Sequence, residues 1–143
     1  MSSPKQTPCN VIPSLRYRDA PKAIDWLCSA FGFEKSLVVP GEGDSVVHAQ
    51  LRFGNGMVML GTAGKHGGPF DELITIPSEV GGIGTQSAYV IVEDVDAHCA
   101  RARAAGAEIL IEPADQDYGG RNYVCRDPEG HVWSFGSYDP FTA

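Results

Sequence analysis

The sequence predicts an α+β fold of two tandem βαβββ modules that form a cleft between curved mixed sheets. Three observations carry this expectation. A hairpin signal occurs twice, once from Arg52 and again from Arg126, a capped helix signal precedes each hairpin, and apolar strand-like segments flank each helix.

The first helix signal is Arg18-Asp19-Ala20-Pro21, with Asp19 as N-cap and Pro21 in the first turn. Ala23, Trp26, Leu27, Ala30 and Phe31 then recur at helical spacing until Gly32. This predicts a helix over 20–31. Glu93-Asp94-Val95-Asp96 opens the second, which carries Ala97, Ala100, Ala104 and Ala105 before Gly106 and is expected over 94–105. Strands are expected before each helix, at Val11 to Tyr17 and Ala88 to Val92, and after each, at Ser36 to Val39 and Glu108 to Ile111.

The hairpins are Arg52-Phe53-Gly54-Asn55-Gly56-Met57-Val58-Met59 and Arg126-Asp127-Pro128-Glu129-Gly130-His131-Val132-Trp133. In the second, Pro128 presets a type I turn and Gly130 suits the left-handed position of a three-residue loop. The organisation expected is an N-terminal tail at 1–9, a first module at 10–62 and a second at 85–138, followed by a tail at 139–143. Between the modules, 63–84 contains Gly64, Gly67, Gly68, Gly81, Gly82 and Gly84 without a sustained period. So long a loop is either a lid that contacts ligand or a plain linker.

Composition narrows the function. At 143 residues, 43% hydrophobic and 20% charged, the chain is ordinary for one globular domain. Eleven basic residues against 18 acidic give a net charge of −7, with no basic cluster, so no nucleic-acid partner is expected. No apolar run approaches a membrane span, and the N-terminus shows no secretion signal, so no membrane partner and a cytoplasmic location are expected. Cys9, Cys28, Cys99 and Cys125 are too scattered for a zinc motif and are read as free thiols.

Turn geometry gives each strand a facing. In the second hairpin Asn122 pairs with Gly136, Val124 with Ser134 and Arg126 with Val132. Carried back to the first hairpin with Arg126 set on Arg52, this pairs Arg52 with Val58, Gln50 with Leu60 and His48 with Thr62. A helix-covered face then holds Leu51, Phe53, Met57 and Met59, with Tyr123, Cys125, Trp133 and Phe135 in the second half. The opposite, mixed faces hold the candidate ligand-binding residues Ser14, Arg16, His48, Gln50, Arg52, Ser87, Tyr89, Asn122, Arg126 and Ser134. Three guanidiniums, at Arg16, Arg52 and Arg126, accumulate positive charge that an anionic ligand would offset. His48 is a weak candidate for a catalytic base.

The arrangement resembles the vicinal oxygen chelate superfamily, which includes glyoxalase I, bleomycin-resistance proteins and extradiol dioxygenases. The resemblance spans about Asn10 to Tyr138 and rests on Asp19-Ala20-Pro21-Lys22-Ala23, Phe31-Gly32-Phe33, Tyr118-Gly119-Gly120-Arg121 and the run Asp127 to Gly136. Metalloenzymes of the superfamily hold one divalent ion by four side chains. The resemblance carries those positions to Ile12, Leu60, Ser87 and Ser134, none of which is a His, Glu, Asp or Cys. A register error of one residue offers Val11 or Pro13, Met59 or Gly61, and Trp133 or Phe135, which is no better. No metal and no cofactor are therefore expected. The resemblance implies a homodimeric, metal-free protein of the bleomycin-resistance type that sequesters an anionic or aromatic small molecule. The alternative is an atypical lyase, isomerase or dioxygenase using a noncanonical metal or His48 as base.

Overall fold

The computed structural model describes residues 3–64 and 68–142. The elements run β1 (Ser14–Tyr17), α1 (Ala20–Phe31), β2 (Glu34–Pro40), β3 (Val46–Phe53), β4 (Gly56–Thr62), β5 (Ala88–Ile91), α2 (Val95–Ala104), β6 (Glu108–Asp115), β7 (Arg121–Arg126) and β8 (Val132–Gly136). The chain thus writes βαβββ twice. Each module forms one four-stranded mixed sheet, ordered β1-β4-β3-β2 and β5-β8-β7-β6.

Both helices start and stop for local reasons. The Asp19 carboxylate accepts the Lys22 N–H at 3.2 Å, and the Asp94 carboxylate accepts the Ala97 N–H at 3.0 Å. Gly32, at φ 88°, ends α1 in the left-handed conformation that only glycine adopts without strain. The first strand begins later than expected, at Ser14. Pro13 has no N–H to give the ladder, although its carbonyl accepts the Met59 N–H at 2.9 Å. The glycine-rich connection holds two 3-10 turns, Pro69–Glu72 and Pro77–Val80, each opened by proline. Gly67 lies outside the described residues.

Two compact units result. One runs to Cys28 and takes in Gly32–Thr75, while the other joins Ser29–Phe31 to the chain from Ile76 onward. In the first unit Leu51, Val58, Leu60 and Tyr17 are buried, and Phe33 packs on Phe53 with ring centroids 5.4 Å apart. In the second, α2 packs against β6, β7 and β8. Its core gathers Phe31, Tyr123, Trp133 and Phe135, with Phe31 and Phe135 4.6 Å apart.

The hairpins differ by one residue, and this overturns part of the expected facing. The second is the three-residue loop anticipated: Asp127 N–H donates to His131 O, and Gly130 sits at φ 96°. In the first, Phe53 pairs directly with Gly56 across the two-residue loop Gly54-Asn55. Gly54, at φ 56°, takes the first central position that a type II′ turn gives to glycine. Arg52 therefore pairs with Met57, Leu51 with Val58, Gln50 with Met59 and Ala49 with Leu60. Val58, Leu60 and Thr62 turn into the core, and Met57 and Met59 turn out onto the mixed face, the reverse of what an exact repeat predicts. A one-residue change in a turn inverts every side chain after it.

The Asp127 carboxylate organises the second hairpin. Its Oδ1 accepts the N–H groups of Glu129 and His131, both at 3.0 Å, and its Oδ2 accepts the Trp133 indole N–H at 3.1 Å. The residue is only 4% exposed. Asp127→Ala removes the shared acceptor of three hydrogen bonds at a buried position and is expected to cost about 2–4 kcal/mol, measured by urea denaturation.

His98 on α2 joins three segments. Its Nε2 lies 2.9 Å from Phe31 O, and its Nδ1 lies 2.6 Å from the Tyr123 hydroxyl. A carbonyl can only accept, so Nε2 carries the proton and the tyrosine hydroxyl donates to Nδ1. Burial holds the imidazole below its ordinary value, opposed by the Phe31 carbonyl and reinforced by Arg101. The unfolded chain then takes up a proton that the folded chain resists, so this stability falls as pH drops below about 6.5. The urea midpoint of the wild type should decline more steeply between about pH 7 and about pH 5 than that of His98→Gln.

Candidate functional site

The mixed face of the first sheet is assembled from three strands. Parallel pairing sets Ser14 beside Met59 and Arg16 beside Gly61, and antiparallel pairing sets Gln50 beside Met59. His48, Gln50 and Arg52 share this face by alternation along β3. Ser14, Arg16, His48, Gln50, Met57 and Met59 are all half-buried, whereas Arg52 is exposed and lies opposite Glu34 of β2.

Arg16 is the most enclosed cation here, with its side chain 13% exposed. Its guanidinium lies over Gly61, where an added Cβ would come 3.5 Å from Nη1 and 2.9 Å from the Val47 carbonyl. Nη1 donates to Leu15 O at 3.3 Å. From the glycine-rich connection, Asp71 brings Oδ1 to 4.0 Å from Nε, and the Phe70 ring stacks with its centroid 5.1 Å from Cζ. Beside it, His48 Nε2 lies 3.1 Å from Gln50 Oε1, and the Gln50 amide N–H points to Met57 Sδ at 3.7 Å. The partner of this imidazole is an amide oxygen. The carboxylate that usually orients a catalytic histidine has no counterpart in that pair.

The mixed face of the second sheet follows the expected register. Asn122, Val124 and Arg126 pair with Gly136, Ser134 and Val132, and Tyr89 lies beside Ser134. Ser87 is exposed, one residue ahead of β5. Tyr89 donates its hydroxyl to Tyr138 O at 2.7 Å, and partial burial, with Tyr118 nearby, pushes its phenol up. Asn122 donates to the Tyr118 hydroxyl at 3.3 Å and accepts from Gln116 at 3.0 Å. Tyr118 meets Tyr138 edge-on at 5.1 Å. Arg126 donates to Glu108 at 2.9 Å.

Two expectations change. Arg16 and Arg126 are not unbalanced charges, because Asp71 and Glu108 stand against them. Strand patterning alone also misses Phe70, Asp71, Tyr118 and Tyr138. The signal for the last two is the Gly119-Gly120 pair, since a Cβ on Gly120 would come 2.7 Å from Tyr138 N.

A family model described as the Glyoxalase/Bleomycin resistance protein/Dioxygenase superfamily matches residues 11–135. The chain belongs to this superfamily. The chain is similar to the uncharacterized protein Mb0911c of Mycobacterium bovis, 36% identical over 130 residues, which cover 87% of this chain and 80% of that one. Among solved structures, TioX from Micromonospora sp. ML1 superposes with a TM-score of 0.68 at 35% identity, covering 88% of this chain and 95% of TioX. A point mutant of the fosfomycin resistance protein FosX from Listeria monocytogenes, complexed with Mn(II) and 1S,2S-dihydroxypropylphosphonic acid, shares the fold at 14% identity, with a TM-score of 0.64 and coverage of 90% of this chain and 89% of that one.

Metalloenzymes of the superfamily hold a divalent ion, and the residues present at the corresponding positions here do not fit one. The observed register puts Met59 on the mixed face where Leu60 was expected. Met59 lies beside Ser14 in the first sheet as Ser134 lies beside Tyr89 in the second, so these two are the matching positions. Ile12, Met59, Ser87 and Ser134 offer an alkyl group, a soft thioether and two neutral hydroxyls, a poor set for a hard or borderline cation. Among the described residues, no group of three or more His, Cys, Asp or Glu side chains is placed to hold a metal ion. Titration calorimetry with Zn²⁺, Ni²⁺ and Mn²⁺ should give no saturable heat at one ion per chain. An ion retained through mild chelation would overturn the assignment.

Proposed function

We propose that this superfamily member is a metal-free small-molecule-binding protein that sequesters an anionic or aromatic ligand on the mixed face of its first sheet. The observation that carries the reading is Arg16, a charge held at 13% exposure on a strand face that also presents Ser14, His48, Gln50 and Met59. A guanidinium so placed supplies charge-assisted hydrogen bonds, and the methionines beside it supply an adaptable apolar surface. Polar donors on an apolar floor suit binding, and the amide partner of His48 leaves acid–base chemistry without support.

The same reading includes Arg52 at the rim of this face, and it treats Ser87, Tyr89, Asn122, Arg126 and Ser134 as the polar set of the second sheet. It also makes the protein a homodimer in the cytoplasm. In favour of the dimer, Leu37, Val38 and Val39 are exposed on an edge strand that a second copy would cover. In favour of the location, Cys9, Cys28, Cys99 and Cys125 are free thiols, as a reducing compartment keeps them. Among the described residues, no helix is long and apolar enough to cross a membrane.

A thermal-shift screen of aromatic acids, polyphenols and neutral aromatics tests the function. Ligands that bind the native state raise the melting temperature by mass action. Aromatic acids should do so most, and Arg16→Ala should weaken the best of them about tenfold while remaining folded. Hits indifferent to Arg16, His48 and Gln50 would remove this face from consideration.

A further inference from the structure

The partners of Arg16 indicate what it is built to receive. Two of its side-chain neighbours are a carboxylate, Asp71, itself held at 12% exposure, and an aromatic ring, Phe70. Both come from Pro69–Glu72, a four-residue 3-10 turn with no buried residue and no side-chain cap at its start. Phe70 is 49% exposed, so the ring rests on the guanidinium without being anchored in a core. The turn is held internally by two backbone bonds, Asp71 N–H to Gly68 O at 3.1 Å and Leu73 N–H to Phe70 O at 3.0 Å. A segment with few buried contacts belongs to the low-stability end of a structure and yields readily.

We propose that Phe70 and Asp71 occupy Arg16 in cis as stand-ins for the ring and carboxylate of an aromatic carboxylic acid. Such an acid is the ligand class of this site, and it binds by displacing them. The inference rests on the functional reading above and adds to it the ligand chemistry and a built-in competitor. Any ligand must beat a tethered rival, so apparent affinity falls by the fraction of time the turn holds Arg16. At 4.0 Å the contact between Asp71 Oδ1 and Arg16 Nε lies at the outer limit of an ion pair. The aromatic carboxylate would replace one charge and one ring with another of each, leaving no guanidinium uncompensated at either end of the exchange.

The test uses the full chain and naphthoate, with naphthylmethanol as its uncharged counterpart, followed by titration calorimetry. Asp71→Asn should tighten naphthoate binding about fivefold, whereas naphthylmethanol, which offers the guanidinium no charge, should bind far more weakly than naphthoate to both proteins. Glu72→Gln, which removes the same charge from the next, exposed residue, should change neither. Arg16→Gln added to Asp71→Asn should cancel the gain. Equal tightening by Asp71→Asn and Glu72→Gln would reduce the effect to net charge and overturn the inference, as would an Asp71→Asn protein that binds naphthoate no better than the wild type. In either case, weakening by Arg16→Gln would leave the broader reading standing. Naphthoate binding indifferent to Arg16 in both backgrounds would defeat that reading as well.

Discussion

The Asp127 carboxylate gives up solvent almost completely, and three donors from Glu129, His131 and Trp133 meet it. A charge in that position tolerates one arrangement of the turn, because sliding β8 by one residue would strand either the carboxylate or the Trp133 indole. The register of β7 against β8 is therefore set by chemistry as well as by loop length, and with it the facing of the whole second sheet. Trp133 then lies among Phe31 and Phe135, and Ser134 goes to the mixed face beside Tyr89. The first hairpin has no such carboxylate. Its register rests on Gly54 and on the preference of Leu51, Val58 and Leu60 for the core.

That contrast marks what can be read from the sequence. The helix caps Asp19, Gly32 and Asp94 are local signals, and both helices lie within a residue of where those signals put them. The second hairpin is legible for the same reason, since Pro128 and Gly130 each have one comfortable place in a turn. The first misleads because similarity over the repeat hides a single missing residue. Arg52 and Arg126, with a glycine and a valine following each turn, look equivalent, yet Val58 is buried and Val132 is half-buried. His48, Gln50 and Arg52 keep their expected face because they precede the turn, and Leu60 loses its place because it follows.

The electrostatics of the mixed faces are less accessible still. A strand pattern shows which way Arg16 points, but its partners Phe70 and Asp71 come from beyond β4, in a connection with no periodicity to read. Likewise Glu108 reaches Arg126 only because β6 pairs with β7 at that register. Pairings of this kind turn a chain of net charge −7 into one whose few enclosed cations are individually matched. An anionic ligand of the kind proposed would then bind by local exchange between carboxylates, with little help from a long-range attractive field.

The unequal hairpins also bear on how such a chain can change. Two repeats of common origin could in principle lend each other parts by recombination. Here a loop alone cannot be lent: a third residue added to Gly54-Asn55 would turn Met57 and Met59 inward and expose Val58 and Leu60. A loop transferred together with the strand it feeds keeps its faces, since the parity travels with the pair. The heritable unit in this architecture is thus the turn plus the following strand, and an insertion of one codon between β3 and β4 is a far more drastic event than its size suggests.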